Sequence, residues 1–203
     1  MIRKPAKLEK WPVWIDRSLQ GVAYWIGHRR CLYRDYPLSE GALVAEICNL
    51  IHANLADGFV LLCEEMYKNL LPELAEPNPS ILTQQARADL VIATKAPGTE
   101  SNPVAKYIIE VKRASAPTRQ IDSDLRRLAE VRRVHSGVRA FMFVVSEAML
   151  PGRFVNEIGS SRLGRQKIPG SPGHFRVRRT WKAAHAFKSR GNAQYACLIE
   201  VYT

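Results

Sequence analysis

Two apolar runs, Ala88-Asp89-Leu90-Val91-Ile92 and Tyr107-Ile108-Ile109-Glu110-Val111-Lys112, stand about a dozen residues apart, and each carries a carboxylate. Short runs of β-branched and apolar residues bounded by Pro-, Gly- and polar-rich segments read as strands packed on a core. Side chains alternate along a strand, so Glu110 and Lys112 share one face while Ile109 and Val111 share the other. Charged groups therefore converge beside apolar ones, and the chain must build a sheet that accommodates them.

A carboxylate beside an apolar sheet is costly unless it is paired or holds a cation. Asp89 and Glu110 offer hard oxygen ligands suited to Mg²⁺ or Mn²⁺, and the carbonyl of Val111 offers another. Lys112 is then placed to hold or activate an attacking water, a combination that suits phosphodiester hydrolysis. The competing reading makes Glu110 and Lys112 an ion pair on a solvated sheet face and Asp89 a turn residue, since charged side chains are mostly exposed.

At these residues the chain resembles the PD-(D/E)XK nuclease superfamily, in which an acidic residue opens one strand and Glu-x-Lys closes the next. Ala88 stands where that family often has proline, a position that shapes a turn and carries no chemistry. The resemblance spans residues 38–147 and implies an α/β, restriction-endonuclease-like core, a mixed central sheet of about four to six strands flanked by helices in the order αβββαβ. It implies metal-dependent cleavage of nucleic acid, with Asp89, Glu110 and Val111 as ligands, Lys112 as a catalytic residue and Mg²⁺ or Mn²⁺ as cofactor. Members of the superfamily act in restriction, phage defence, mobile elements, recombination and repair.

Upstream of these strands, a Ser39 N-cap precedes a helix over 40–56 that carries Leu43, Val44, Ile47, Leu50, Ile51 and Leu55 on one stripe. At 100° per residue Glu40 falls about 20° from Ile47, inside that stripe, and Glu46 about 100° away at its edge. A strand over 59–67 runs antiparallel to this helix, although Phe59, Leu62, Met66 and Leu70 also have nearly helical spacing. That topology brings Glu40 to the edge that holds Asp89 and Glu110. Many members of the superfamily place a carboxylate from this helix near the metal, which makes Glu40 the fourth catalytic candidate. Glu46 is the second choice, about 9 Å further along the axis. Glu64 joins it as a supporting candidate, and so does Gln120, by analogy with a glutamine in some branches of the family.

Residues 1–37 form an aromatic and basic extension with one short helix starting near Asp16, and residues 38–203 form the nuclease-like domain. Trp11, Trp14 and Trp25 either pack on the core or offer stacking surfaces to a base or a partner. After Lys112 a helix is expected over 118–135, a strand buried on both faces over 138–146, a flexible basic loop over 151–173 and two strands over 174–182 and 194–202. His174 and His185 lack ligand partners in the pattern, and all five histidines read as non-catalytic.

The formal net charge of +11 is concentrated after the active-site lysine, where sixteen Lys or Arg face six Asp or Glu from residue 115 onward. A one-sided basic surface beside a metal site points to a polyanion, bound through phosphates in a salt-dependent way. Nucleic acid, DNA above RNA, is the expected partner, with Arg113, Arg119, Arg126, Arg127, Arg162, Arg165 and Lys167 as contacts. A homodimer or larger protein assembly is the further partner to consider. No run of about 18 apolar residues spans a membrane and the amino end lacks the apolar core of a signal peptide, so the expected location is cytoplasmic. The four cysteines are scattered, without the quartet that the iron-sulfur branch of the superfamily needs, and read as core thiols. The leading expectation is a Mg²⁺-dependent nuclease. The alternative is a nucleic-acid-binding or assembly subunit that keeps the fold and is inactive alone.

Overall fold

The apolar runs assemble into one mixed sheet with helices on both faces. In chain order the elements are α1 (Val13–Leu32), α2 (Glu40–Asn54), β1 (Phe59–Met66), a single-turn α3 (Tyr67–Leu70), β2 (Arg87–Thr94), β3 (Val104–Arg113), α4 (Thr118–Val134), β4 (Arg139–Ser146), β5 (Gln166–Lys167), β6 (His174–Lys182) and β7 (Tyr195–Tyr202). The structure, a computed structural model, describes residues 11–33, 36–71, 76–94, 103–183 and 194–203. Among these the strand order is β1-β2-β3-β4-β7-β6-β5. Only β3 and β4 run parallel, because the chain crosses between them through α4; all other neighbours are antiparallel. Apart from the single turn of α3 between β1 and β2, the segment α2-β1-β2-β3-α4-β4 has the αβββαβ order of a restriction-endonuclease-like core.

Among the described residues the sheet has seven strands where about four to six were expected. The strands expected over 174–182 and 194–202 are β6 and β7, with β7 covering the edge of β4 in an almost wholly buried run, and the added strand is the two-residue β5 in the segment expected as a loop. Each central strand is buried on both faces, which explains why β4 reads as continuous apolar sequence rather than an alternation. Ala140, Met142 and Val144 meet Ile121, Leu125 and Leu128 of α4, while Phe141, Phe143 and Val145 belong to the opposite core with α1 and α2.

Helix α2 forms where the N-cap and apolar stripe place it. The Ser39 hydroxyl accepts from the Ala42 amide at 3.1 Å, and Leu43, Ile47 and Ile51 are fully buried. Helix α1 runs 20 residues from Val13 to Leu32, longer at both ends than the short helix expected near Asp16 from the spacing of Ile15, Leu19, Val22 and Ile26. These four sit in the same core as α2, and burial of each contributes about 1.5–3 kcal/mol. Trp14 packs edge-on against Tyr107 of β3, ring centroids 5.4 Å apart, so this tryptophan serves the core.

Residues 59–66 are strand, and the helical spacing there is realised only in the one turn of α3. The segment expected as a flexible loop is instead packed: Phe154, Val155 and Ile168 enter the α4-side core, Val155 bridges to Ser161, and Gln166–Lys167 pairs with β6. Apolar anchors between its glycine turns hold it down. The cysteines also differ from expectation. Cys197 is buried, Cys48 half-buried, and Cys31 and Cys63 exposed, since Cys63 lies on an edge strand and lines the open cleft beside α2. Most of the connection over 95–106 and the basic turn near residue 190 lie outside the described residues. Among the described residues no helix is long and apolar enough to cross a membrane.

Candidate active site

The site lies where the β2–β3 ladder opens. Pairing runs from Thr94↔Val104 to Leu90↔Ile109 and ends there, although Asp89 and Glu110 stand next in register. Strand β3 continues beside β4 alone, from Glu110↔Met142 to Arg113↔Val145. In the gap the Val111 amide donates to Asp89 Oδ2 at 2.7 Å, so a side chain takes the place of the missing strand partner. The neighbouring β1 is distorted at the same level. Glu64, opposite Asp89 between the pairs Cys63↔Leu90 and Glu65↔Ala88, has φ 54°, a conformation that costs a non-glycine residue about 1–2 kcal/mol.

Glu110 is 1% exposed and accepts a hydrogen bond from the hydroxyl of Tyr67, itself fully buried. Burial, followed by the Asp89 and Asp124 carboxylates, pushes the Glu110 carboxyl well above the ordinary range, while Arg127 and the Tyr67 hydroxyl oppose the shift. Arg127 Nε lies 4.0 Å from Glu110 Oε1. Burial likewise raises Asp89, against the pull of the Val111 amide, Lys112 and hydrogen bonding with Glu110. Two carboxyls that resist ionisation side by side make a place where a cation is favoured.

Lys112 reaches past the sheet edge to two carboxylates, Glu40 Oε1 at 2.5 Å and Asp124 Oδ2 at 3.1 Å. Burial works against its charge, but these two carboxylates override it and hold the ammonium above its usual range. Lys112 is therefore a fixed cation and hydrogen-bond donor, and not a proton acceptor near neutral pH. Asp124, 2% exposed, also pairs with Arg127 one turn along α4.

The donor set suits a hard divalent ion. Mg²⁺ commonly takes one or two carboxylates and completes its shell with water and phosphate oxygens. Asp89 and Glu110 supply two carboxylates, each raised by burial and Glu110 raised further by Asp89, and positive charge at this place would favour the ionised form of both. No set of three or more His, Cys, Asp or Glu among the described residues is arranged to hold an ion, so the remaining ligands would be backbone, water or substrate oxygens.

Of the sequence candidates, the structure brings together Asp89, Glu110, Val111, Lys112 and Glu40. Glu64 and Asp89 line one cleft with Glu40, Val44, Cys48 and Cys63, a cavity of about 440 Å³ between α2 and the β1 edge. Glu46 is half-buried on α2 and does not line that cleft, and Gln120 is exposed on the first turn of α4. Arg113 pairs with Glu147 at 3.2 Å. Arg119, Arg162, Arg165 and Lys167 are exposed, and Arg126 is half-buried beside Gly170. Arg127, expected to meet nucleic acid, is turned inward to Asp124 and Glu110.

Two residues of the site, Tyr67 and Asp124, are not among the sequence candidates. Asp124 carries a signal, because it lies among Ile121, Leu125 and Leu128 on the buried stripe of α4, as Glu40 lies among the apolar residues of α2. Tyr67 carries none, since only the fold brings the end of β1 to Glu110.

No family model matches the chain, and no curated protein matches it. Among solved structures the chain is similar to P. aeruginosa ATCC27853 NucC in its cAAA-bound form, with 14% identity, 93% of this chain and 85% of that chain covered, and a TM-score of 0.39. At that level of likeness no residue role is carried from one protein to the other.

Proposed function

We propose that this chain is a divalent-metal-dependent nuclease that hydrolyses phosphodiester bonds, of DNA first, by direct attack of water. The observation that carries the reading is the convergence of Asp89, Glu110 and a doubly paired Lys112 at the opened end of the β2–β3 ladder. Asp89 and Glu110 would hold Mg²⁺ or Mn²⁺, with the Val111 carbonyl as a further donor. When bound, the ion supplies positive charge at the scissile phosphate and makes water more acidic. Lys112, kept cationic by Glu40 and Asp124, donates a hydrogen bond to the water or to the phosphoryl oxygen on which charge develops. Glu40 aims that ammonium from the first turn of α2, and Tyr67 fixes the Glu110 carboxyl. Exposed Arg119, Arg162, Arg165 and Lys167 would contact the phosphate backbone without reading bases.

The test compares wild type with Lys112→Ala on plasmid and single-stranded DNA, in Mg²⁺, Mn²⁺ or EDTA at low salt. Cleavage by wild type, lost with EDTA and in the variant, is the expected result. A second reading, a binding or assembly subunit inactive alone, is favoured by one observation. Lys112 and Glu110 are already engaged by side chains of the chain itself, so a partner or substrate would have to displace Asp124 or Arg127. Binding without cleavage under every metal would select it.

A further inference from the structure

Cys48 on α2 and Cys63 on β1 are both free thiols, and their sulfurs stand 3.4 Å apart. Both line the cleft that holds Glu40, Glu64 and Asp89. Buried cysteines usually act as small apolar residues, whereas an exposed thiol with a second thiol in contact has a chemistry of its own. Cys63 is exposed on β1, which among the described residues is an edge strand paired with β2. A disulfide needs about 2.05 Å between sulfurs, so the pair has roughly 1.4 Å to close.

We propose that Cys48 and Cys63 form an oxidisable dithiol site, closed by a peroxide-class oxidant into a disulfide that ties α2 to β1 across the wall of the cleft. The exposed Cys63 thiol reacts first: the peroxide O–O bond breaks, Cys63 becomes a sulfenic acid, and the oxidant leaves as an alcohol or as water. Burial and the Cys48 neighbour push the Cys63 thiol up to about 11, so little thiolate is present near neutrality and this step is slow. The Cys48 sulfur then attacks the Cys63 sulfur, the S–O bond breaks, and the oxygen leaves as water with the Cys48 proton. Two thiols are oxidised and one peroxide reduced. The bond draws together the two walls that carry Glu40 and Glu64, narrowing the cleft that Asp89 also lines. This consequence for activity rests on the nuclease reading; formation of the bond does not.

The full chain, reduced and then treated with hydrogen peroxide, is denatured, alkylated and mapped by peptide mass spectrometry. The expected product has lost two alkylatable thiols of four and contains a Cys48–Cys63 linked peptide. That peptide is absent in Cys48→Ser and in Cys63→Ser, variants checked for folding by circular dichroism, and is retained in Cys31→Ser. Four alkylatable thiols after treatment, or a crosslink only between the exposed Cys31 residues of two chains, would overturn the site. The same samples are assayed for plasmid cleavage in Mg²⁺. A several-fold loss restored by dithiothreitol is expected, and crosslinked protein that cleaves at the reduced rate overturns the effect on the cleft. Reduced wild type that cleaves nothing sinks the nuclease reading, while the peptide map still judges the bond.

Discussion

Lys112 Nζ lies 2.5 Å from Glu40 Oε1, which joins the end of β3 to the first residue of α2. The contact bridges the sheet and the helix layer at the level where Asp89 and Glu110 part. It ties the Lys112 ammonium to Glu40, a residue that lines the cleft between α2 and β1. Glu40 is partly exposed, 40% by side chain, so the pair contributes little to stability and its importance is one of aim.

Lys112→Ala is expected to lower cleavage by about 10²–10³-fold, the usual effect of removing one donor from a developing negative charge. Glu40→Gln should lower it less and leave the thermal midpoint nearly unchanged. Initial rates on supercoiled plasmid, beside melting curves, separate the two effects. Wild-type rates in Lys112→Ala would remove Lys112 from the chemistry.

Glu110→Gln should raise thermal stability at neutral pH in the absence of metal while abolishing cleavage. Burial and the neighbouring carboxylates raise the folded-state pKa of Glu110, so the folded chain holds this proton to a higher pH than the unfolded chain does. The associated stability is present below the unfolded carboxylate value of about 4.3 and is lost as pH rises through the folded value. Glutamine is neutral throughout, so the gain appears at neutral pH and fades toward about pH 4. Each kcal/mol relieved raises the midpoint by about 2–4 °C. A lower midpoint for the variant in EDTA at neutral pH contradicts this expectation.

Asp124→Asn should destabilise the fold by about 3–5 kcal/mol, because it removes the buried carboxylate that Lys112 and Arg127 share. Urea unfolding measures the loss. An unchanged midpoint would mean that solvent already screens this pair of cations.

Arg162→Ala with Arg165→Ala should weaken duplex binding uniformly across sequences. The slope of log affinity against log salt should fall by about 0.9 for each phosphate that no longer has an arginine partner. Fluorescence anisotropy between low and moderate salt reads the slope. An unchanged slope places the phosphate-binding residues elsewhere on the basic surface.

Much of this molecule is legible in one dimension. The strands with their carboxylates, the capped helix of α2 and the αβββαβ order follow from period, propensity and turn residues, which act over a few neighbours. Glu40 stands out by the same means, as a charge inside an apolar stripe. Asp124 is open to that reasoning on α4, but the arginines around it read as a solvated face. Other features have no local signature. Nothing in the linear pattern says that β5 pairs with β6, that Phe154, Val155 and Ile168 pin residues 151–173, or that Tyr67 meets Glu110.

The elements, the basic surface and the acidic and basic residue types of the site are properties of the linear chain, because each depends on side-chain chemistry and short-range periodicity. Which charges meet is a property of the packed molecule. The burial that raises Glu110, the two carboxylates that hold Lys112 charged, the inward turn of Arg127 and the 3.4 Å approach of Cys48 to Cys63 all join residues from separate elements. Electrostatic and sulfur contacts act over a few ångströms of space, and only the packed sheet and helices bring these groups within that range.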